Sequence, residues 1–267
     1  MLLTLDIGNT NMKTALFDGW EPNGRGRVEP TMAQYWRIST DRNRTSDEYG
    51  AVLMNLLNHN GIDRGQIEGI MMSSVVPQIN FTIEHMCRNY FGIEPMKIEP
   101  GVKTGINIKY ENPRELGSDR IANAVAAYEL YGGPCITIDF GTATTFGAIS
   151  ARGEFLGGAI CPGLKLAADA LTERTAKLPR FELVKPEGVI GRNTITNMQA
   201  GIVYGYIGQI IYLVERMKRE IGAPETKVIA TGGLAVLVAG ETRAIDVMDG
   251  LLTLKGLALI YEKNHSR

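Results

Sequence analysis

Cysteine is scarce in this chain of 267 residues: Cys87, Cys135 and Cys161 are odd in number, widely spaced and outside any CxxC or Cys/His pattern. That argues against a disulfide framework or a structural zinc site and fits reduced thiols in the cytosol. Histidine is equally rare, and His59, His85 and His265 fall outside every motif. Neither charge sign is in excess, with 28 basic and 29 acidic residues and a formal net charge of −1. The basic footprint of a protein that grips nucleic acid by neutralising phosphates is therefore missing. Long hydrophobic runs are missing too. The least polar long stretch, Met198–Val214, is broken by Gln199, Gln209, tyrosines and glycines and is too short to span a bilayer. Asp6 interrupts the first apolar run before the core of a secretory leader is reached. A cytoplasmic protein is expected, with no nucleic-acid and no membrane partner. Neither GxxxxGK[ST] nor GxGxxG follows a strand-like run, which removes the P-loop and the dinucleotide fingerprint.

What is present is a motif used twice. LTLDIGNTNMK at Leu3–Lys13 and ITIDFGTATTFGAI at Ile136–Ile149 each place an Asp at the end of an apolar run, then Gly, small hydroxyl residues and a second run. Their lead aspartates, Asp6 and Asp139, stand half the chain apart. Glycine lets a backbone approach phosphate oxygens, N–H groups and threonine hydroxyls donate to them, and a carboxylate positions a divalent cation. A third segment, VIATGGLA at Val228–Ala235, ends a strand-like run in Gly232-Gly233 and offers bare backbone to an adenine ring or ribose.

Around these motifs, strand-like and helix-like patterns alternate. Strands are expected at Leu2–Ile7, Met12–Phe17, Gln34–Ile38, Ile67–Ser73 and Pro95–Ile98, with Asp18–Thr31 as an extended loop rich in Gly, Pro and charge. Thr45 and Glu48 form a capping box for a helix to about Asn58, and Gln78–Tyr90 reads as a second helix. Gly101–Leu116 looks irregular. Beyond it come a helix from Asp119 to Tyr131, strands at Cys135–Asp139, Thr144–Ser150 and Phe155–Ile160, and a helix at Gly163–Glu173. A long helix then runs from Thr194 to Ile221, followed by a strand at Lys227–Thr231, a helix, a strand near Ala244–Val247 and a last helix at Leu251–Glu262. The fold class is α/β: two related lobes, each a mixed sheet with flanking helices, 1–118 and 119–267, with a nucleotide cleft between them.

Three elements in the order first phosphate loop, second phosphate loop, adenosine loop resemble the actin/hexokinase superfamily, whose lobes are actin-like (ribonuclease H-like). Within it, DIGNTN at Asp6–Asn11, GSDR at Gly117–Arg120, DFGTATT at Asp139–Thr145 and TGG at Thr231–Gly233 are similar to type III pantothenate kinase. SSVVP at Ser73–Pro77 and GRNTITNMQAG at Gly191–Gly201 extend the likeness over nearly the whole chain.

The resemblance implies an ATP-dependent kinase acting on the primary hydroxyl of pantothenate. Asp119 is the implied general base, with Tyr110, Gly117, Ser118, Arg120 and Thr194 as substrate contacts, the last reaching from a partner subunit of a homodimer. Asp6, Ile7, Gly8, Asn9, Thr10, Asn11, Met12, Lys13, Thr142, Gly232 and Gly233 are implied ATP contacts. Asp139 corresponds to the ligand of a monovalent cation, K⁺ or NH₄⁺, and Asp6 to an outer-shell carboxylate for the Mg²⁺ that accompanies ATP. From the residues alone, GSDR is equally a helix start, with Ser118 or Asp119 as cap. The glycines Gly201, Gly205 and Gly208 mark the long helix either as a dimer face or as a packed internal helix. Two other functions remain open at this point: a non-catalytic transcription accessory protein on the same fold, and a superfamily kinase for another small alcohol.

Overall fold

A computed structural model describes residues 1–24, 26–233, 238 and 240–265, and the chain forms two units. The first comprises Met1–Ile106, Glu111–Leu130 and Leu251–Arg267; the second comprises Asn107–Tyr110 and Tyr131–Gly250. The units therefore do not part at 118/119. No helix among the described residues is long and apolar enough to cross a membrane.

In the first unit, β1 (Leu2–Ile7), β2 (Asn11–Pro22) and β3 (Val28–Ser39) form an antiparallel meander. On the other side of β1, β4 (Gly69–Ser74) and β5 (Met96–Lys97) add in parallel, giving the order β3-β2-β1-β4-β5. Every residue of β1 after Leu2 is buried, the signature of a central strand covered on both faces. Helix α1 (Ser46–His59) starts at the expected capping box, with Thr45 and Glu48 satisfying each other's backbone N–H groups. Helix α2 (Asn80–Phe91) stops at Gly92, whose φ of 70° is left-handed. Leu53, Leu57, Ile83 and Met86 from these helices share a core with Leu3, Leu5 and Met12.

The stretch Asp18–Thr31, expected as a loop, is mostly strand. Gly19, Trp20, Glu21 and Pro22 pair with Thr31, Pro30, Glu29 and Val28 beyond a bulge at Phe17. Docking explains why so polar an arm is ordered. The Arg27 guanidinium donates to the Tyr128 and Glu129 carbonyls at 2.8 and 2.6 Å, near the C-terminal end of helix α3 (Ser118–Tyr131), where a cation suits the helix dipole. Glu29 lies 3.8 Å from Lys255. Lys255 belongs to α6 (Leu252–His265), which returns to the first unit. A Cβ at Gly256 would come within 2.0 Å of the Ala122 carbonyl oxygen, and one at Gly69 within 2.0 Å of the Tyr261 hydroxyl. Such close approach is open only to glycine.

The second unit repeats the plan. Strands β7 (Cys135–Phe140), β8 (Ala143–Ile149) and β9 (Glu154–Pro162) form a meander, and β10 (Lys227–Thr231) and β11 (Val247–Met248) add in parallel beside β7. A short β6 (Asn107–Ile108), inside the stretch expected to be irregular, lies parallel to β9. Helix α4 (Leu164–Glu173) follows β9. The long helix α5 (Thr194–Ile221) buries Val203, Ile207, Ile210 and Val214 against Ile136, Ile138, Phe146 and Val228 and leaves Gly201, Gly205, Gly208 and Tyr212 exposed. The strand expected at Ala244–Val247 begins at Val247, because the Asp246 carboxylate accepts from the Val228 N–H at 2.8 Å and takes a place in the ladder. The helix expected after Gly233 lies mostly outside the described residues.

Candidate active site

In the first unit, Asp6 stands one residue from the C-terminal end of β1 and is only 8% exposed. Its neighbours in register are Lys13 on β2 and Ser73 on β4, and the Lys13 ammonium lies 3.9 Å from its carboxylate. Ile7 pairs with Met12, and the loop between them closes with the Gly8 N–H donating to the Asn11 carbonyl at 3.1 Å. Thr40 braces the loop twice: its hydroxyl donates to the Gly8 carbonyl at 2.7 Å and its N–H to the Thr10 carbonyl at 3.0 Å. Arg42 reaches the Asn9 side chain at 3.4 Å. The hairpin expected to contact ATP is thus a fixed turn carrying a buried carboxylate and an ammonium.

GSDR belongs to the same unit and opens α3. The Asp119 carboxylate accepts from the Arg120 N–H at 2.8 Å and folds back over Gly117, where a Cβ would sit 2.5 Å from its Oδ1. A side chain at 117 would push the Asp119 carboxylate out of this position. The Gly117 carbonyl accepts the Ile121 N–H at 3.1 Å, and Arg120 is buried to 8% exposure. The Ser118 hydroxyl meets the end of β4, 2.9 Å from the Ser73 hydroxyl and 3.1 Å from the Ser74 N–H that donates to it. Nothing in the local sequence announces this contact, because 45 positions separate its partners. Beside Ser118, the ends of β4 and β5 leave a polar cavity of about 90 Å³ whose lining includes Ser74, Asn80 and Lys97.

In the second unit, Asp139 has Thr145 of β8 and Thr231 of β10 as its neighbours in register. The turn that follows, Gly141-Thr142, is boxed in by backbone. A Cβ at Gly163 would come within 2.3 Å of the Thr142 carbonyl oxygen, and one at Gly232 within 2.6 Å of that of Phe140. Gly232 also has a φ of 96°. The buried hydroxyl of Thr144 pairs with that of Tyr206 from α5. Burial pushes the Tyr206 phenol up to about 12, against the opposing bond to Thr144.

Tyr110 packs its ring against Phe155 at 6.3 Å between centroids. Thr194 is the exposed first residue of α5, and the cap is Asn193, whose side chain accepts from the Thr196 N–H. Thus Tyr110, Thr142, Asp139, Thr194, Gly232 and Gly233 fall in the second unit, and Asp6 to Lys13 and Gly117 to Arg120 in the first.

Among the described residues, no group of three or more His, Cys, Asp or Glu side chains could hold an ion on protein ligands alone. Single carboxylates such as Asp6 instead fit a divalent ion that keeps its waters and arrives on phosphates. Asp139 stands beside Thr231, whose buried hydroxyl has no hydrogen-bond partner among the described residues. A carboxylate with a spare oxygen donor also suits a hard monovalent cation.

Comparison with known proteins adds four findings. A family model described as type III pantothenate kinase matches residues 2–216. A type III pantothenate kinase of Bacillus cytotoxicus is 52% identical over 99% of this chain and 97% of its own length. Among solved structures, a Campylobacter jejuni protein assigned to a Baf family of transcriptional activators superposes with a TM-score of 0.61 at 20% identity, covering 98% of each chain. A Sinorhizobium meliloti protein assigned as a 2-dehydro-3-deoxygalactonokinase gives 0.59 at 10% identity, covering 100% of this chain and 98% of its own. At such identities these two likenesses bear on the fold alone.

Proposed function

The chain belongs to the type III pantothenate kinase family, and on that premise we propose how its residues carry the reaction: ATP-dependent phosphorylation of the primary hydroxyl of pantothenate, at the start of coenzyme A biosynthesis. Asp119 is the general base. It accepts the hydroxyl proton as the oxygen bonds to the γ-phosphorus, the bond to the β–γ bridging oxygen breaks and ADP departs. The observation that carries this is the seat of Asp119: its carboxylate lies over the bare backbone of Gly117 at the first turn of α3, where N–H groups favour the anion until the proton arrives.

Arg120 holds the pantothenate carboxylate, which suits a guanidinium fork, with Tyr110 and Thr194 as further substrate contacts. The turn from Asp6 to Lys13, Thr142 and the Gly232-Gly233 pair contact ATP. Asp6 would hold, through water, the Mg²⁺ that comes with the nucleotide, and Asp139 would hold K⁺ or NH₄⁺; both ions would offset phosphate charge. The working form is a homodimer built on the exposed glycine face of α5, with Thr194 serving the substrate of the other subunit. The protein works in the cytoplasm without nucleic acid or membrane.

The test is ADP release from Mg·ATP with pantothenate in K⁺ or NH₄⁺, repeated in Na⁺ alone. Pantothenate-dependent release that collapses in Na⁺ is expected, and Asp119→Asn should lower turnover by about two to four orders of magnitude. Near-normal turnover in that variant would remove Asp119 as base, and undiminished turnover in Na⁺ would remove the monovalent site.

A further inference from the structure

The general base sits on a helix, whereas the turn that carries the first phosphate-site carboxylate sits at the end of a strand. Side-chain hydroxyls join the two. Ser73 is 1% exposed and is the neighbour of Asp6 in register, β4 against β1. Its hydroxyl meets that of Ser118 at 2.9 Å. The Ser118 oxygen also accepts the Ser74 N–H at 3.1 Å and lies 3.3 Å from the Ser74 carbonyl oxygen. A serine hydroxyl has one proton to give and two lone pairs to offer. These contacts spend that capacity on β4, so the Ser118 side chain has little left for a substrate. The adjoining residue is Asp119, whose carboxylate is already fixed by the Arg120 N–H and the Gly117 slot.

We infer that Ser73 and Ser118 form a hydroxyl clip that sets the position of Asp119 relative to the Asp6 turn. Ser73 is thus a positioning residue for the phosphoryl transfer, and Ser118 is a second positioning residue rather than a side-chain ligand of pantothenate. The inference rests on Asp119 being the general base. Its chemical content is orientation: the distance between the base and the acceptor hydroxyl is fixed through one helix turn, and displacement on the order of 1 Å costs up to about 100-fold in rate.

The experiment measures kcat, KM for ATP, and phosphopantothenate formed per ADP released, for Ser73→Ala, Ser118→Ala and the double variant, each in the native and the Asp119→Asn background. In the native background each single change should lower kcat about tenfold, leave KM for ATP within about twofold, and lower the yield of phosphopantothenate per ADP as water competes. The double variant should be no slower than the slower single, the mark of two groups acting as one. In the Asp119→Asn background the serine changes should alter residual turnover by less than about twofold. Ser118→Thr, which restores the hydroxyl, should recover most of the rate. If Ser73→Ala fails to fold, Ser118→Ala at its half-exposed site still decides the matter. An unchanged kcat in Ser118→Ala, or the same tenfold loss without Asp119, would overturn the clip while leaving the base in place. Normal turnover in Asp119→Asn alone overturns the base assignment, and the clip with it.

Discussion

The two Asp-led hairpins occupy the same place in the same strand plan, β1-β2 beside β4 and β7-β8 beside β10, yet they are held by different means. Hydrogen bonds brace the first turn from outside, two of them from Thr40 and a third from Arg42. The second turn is gripped by backbone instead of side chains: the Gly163 N–H donates to the Thr142 carbonyl at 3.0 Å, and Gly163 and Gly232 stand so close to Thr142 and Phe140 that a side chain at either would collide. Their carboxylates differ as well. Asp6 has a lysine opposite, whereas Asp139 has a threonine, which brings no charge. One architecture thus carries a turn balanced by a neighbouring ammonium and a turn whose matching position is neutral. Duplicated structure does not entail duplicated electrostatics.

The contrast is sharpest under glycine substitution. Gly163→Ala should cost about 1–3 kcal/mol by thermal or denaturant unfolding, because carbonyl oxygens rather than flexible side chains stand in the way. Gly8→Ala, whose Cβ would lie 3.1 Å from the Asn11 carbonyl oxygen, should cost distinctly less; equal losses would erase the distinction between the two turns. Next in size is Tyr206→Phe, which removes the partner of the buried Thr144 hydroxyl and should cost about 1–2 kcal/mol near pH 8.

This second difference carries a pH signature. The folded phenol titrates at about 12 against an ordinary value of 10.0. The protonated form's contribution is therefore intact below pH 10 and is lost as pH rises through 12. The gap in melting temperature between native protein and Tyr206→Phe should narrow between those values; a constant gap would refute it. The smallest effect belongs to the first turn. The Lys13 side chain is 23% exposed and its ammonium stands 3.9 Å from the buried Asp6 carboxylate, so Lys13→Met should change stability by no more than about 1 kcal/mol, while raising KM for ATP. A loss of stability as large as that of Gly163→Ala would show the ion pair to be structural.

Much of this was legible in the sequence, for local reasons. The capping box at Thr45 and Glu48, the apolar runs before Asp6 and Asp139, and the stripe of Ile207, Ile210 and Val214 on α5 all act over a few residues. What escaped depends on distant partners. The arm from Asp18 to Thr31 has the composition of a loop and is ordered because Arg27 finds carbonyls a hundred positions away. Helix α3 opens at Ser118, one residue before the expected start at Asp119, and its place in the first unit follows from contacts such as Thr253 to Asn123 at 2.8 Å. At the candidate site, the motif residues Asp6, Gly117 and Asp119 were readable, whereas the use of Ser73 and the steric need for Gly163 emerge only once strands are paired.

The return of α6 to the first sheet has a consequence for biosynthesis. Leu251 and the residues after it leave the ribosome later than every residue of the second unit, so the earlier-made unit is the one finished last. While translation continues, the bare backbone of Gly69 and the carbonyl of Ala122 await Tyr261 and Gly256. A chain tethered to the ribosome so that residues up to Gly250 have emerged while Leu251 and those after it have not should therefore present a completed later unit and an open earlier one, an inverted order of maturation that ribosome-bound proteolysis can read directly.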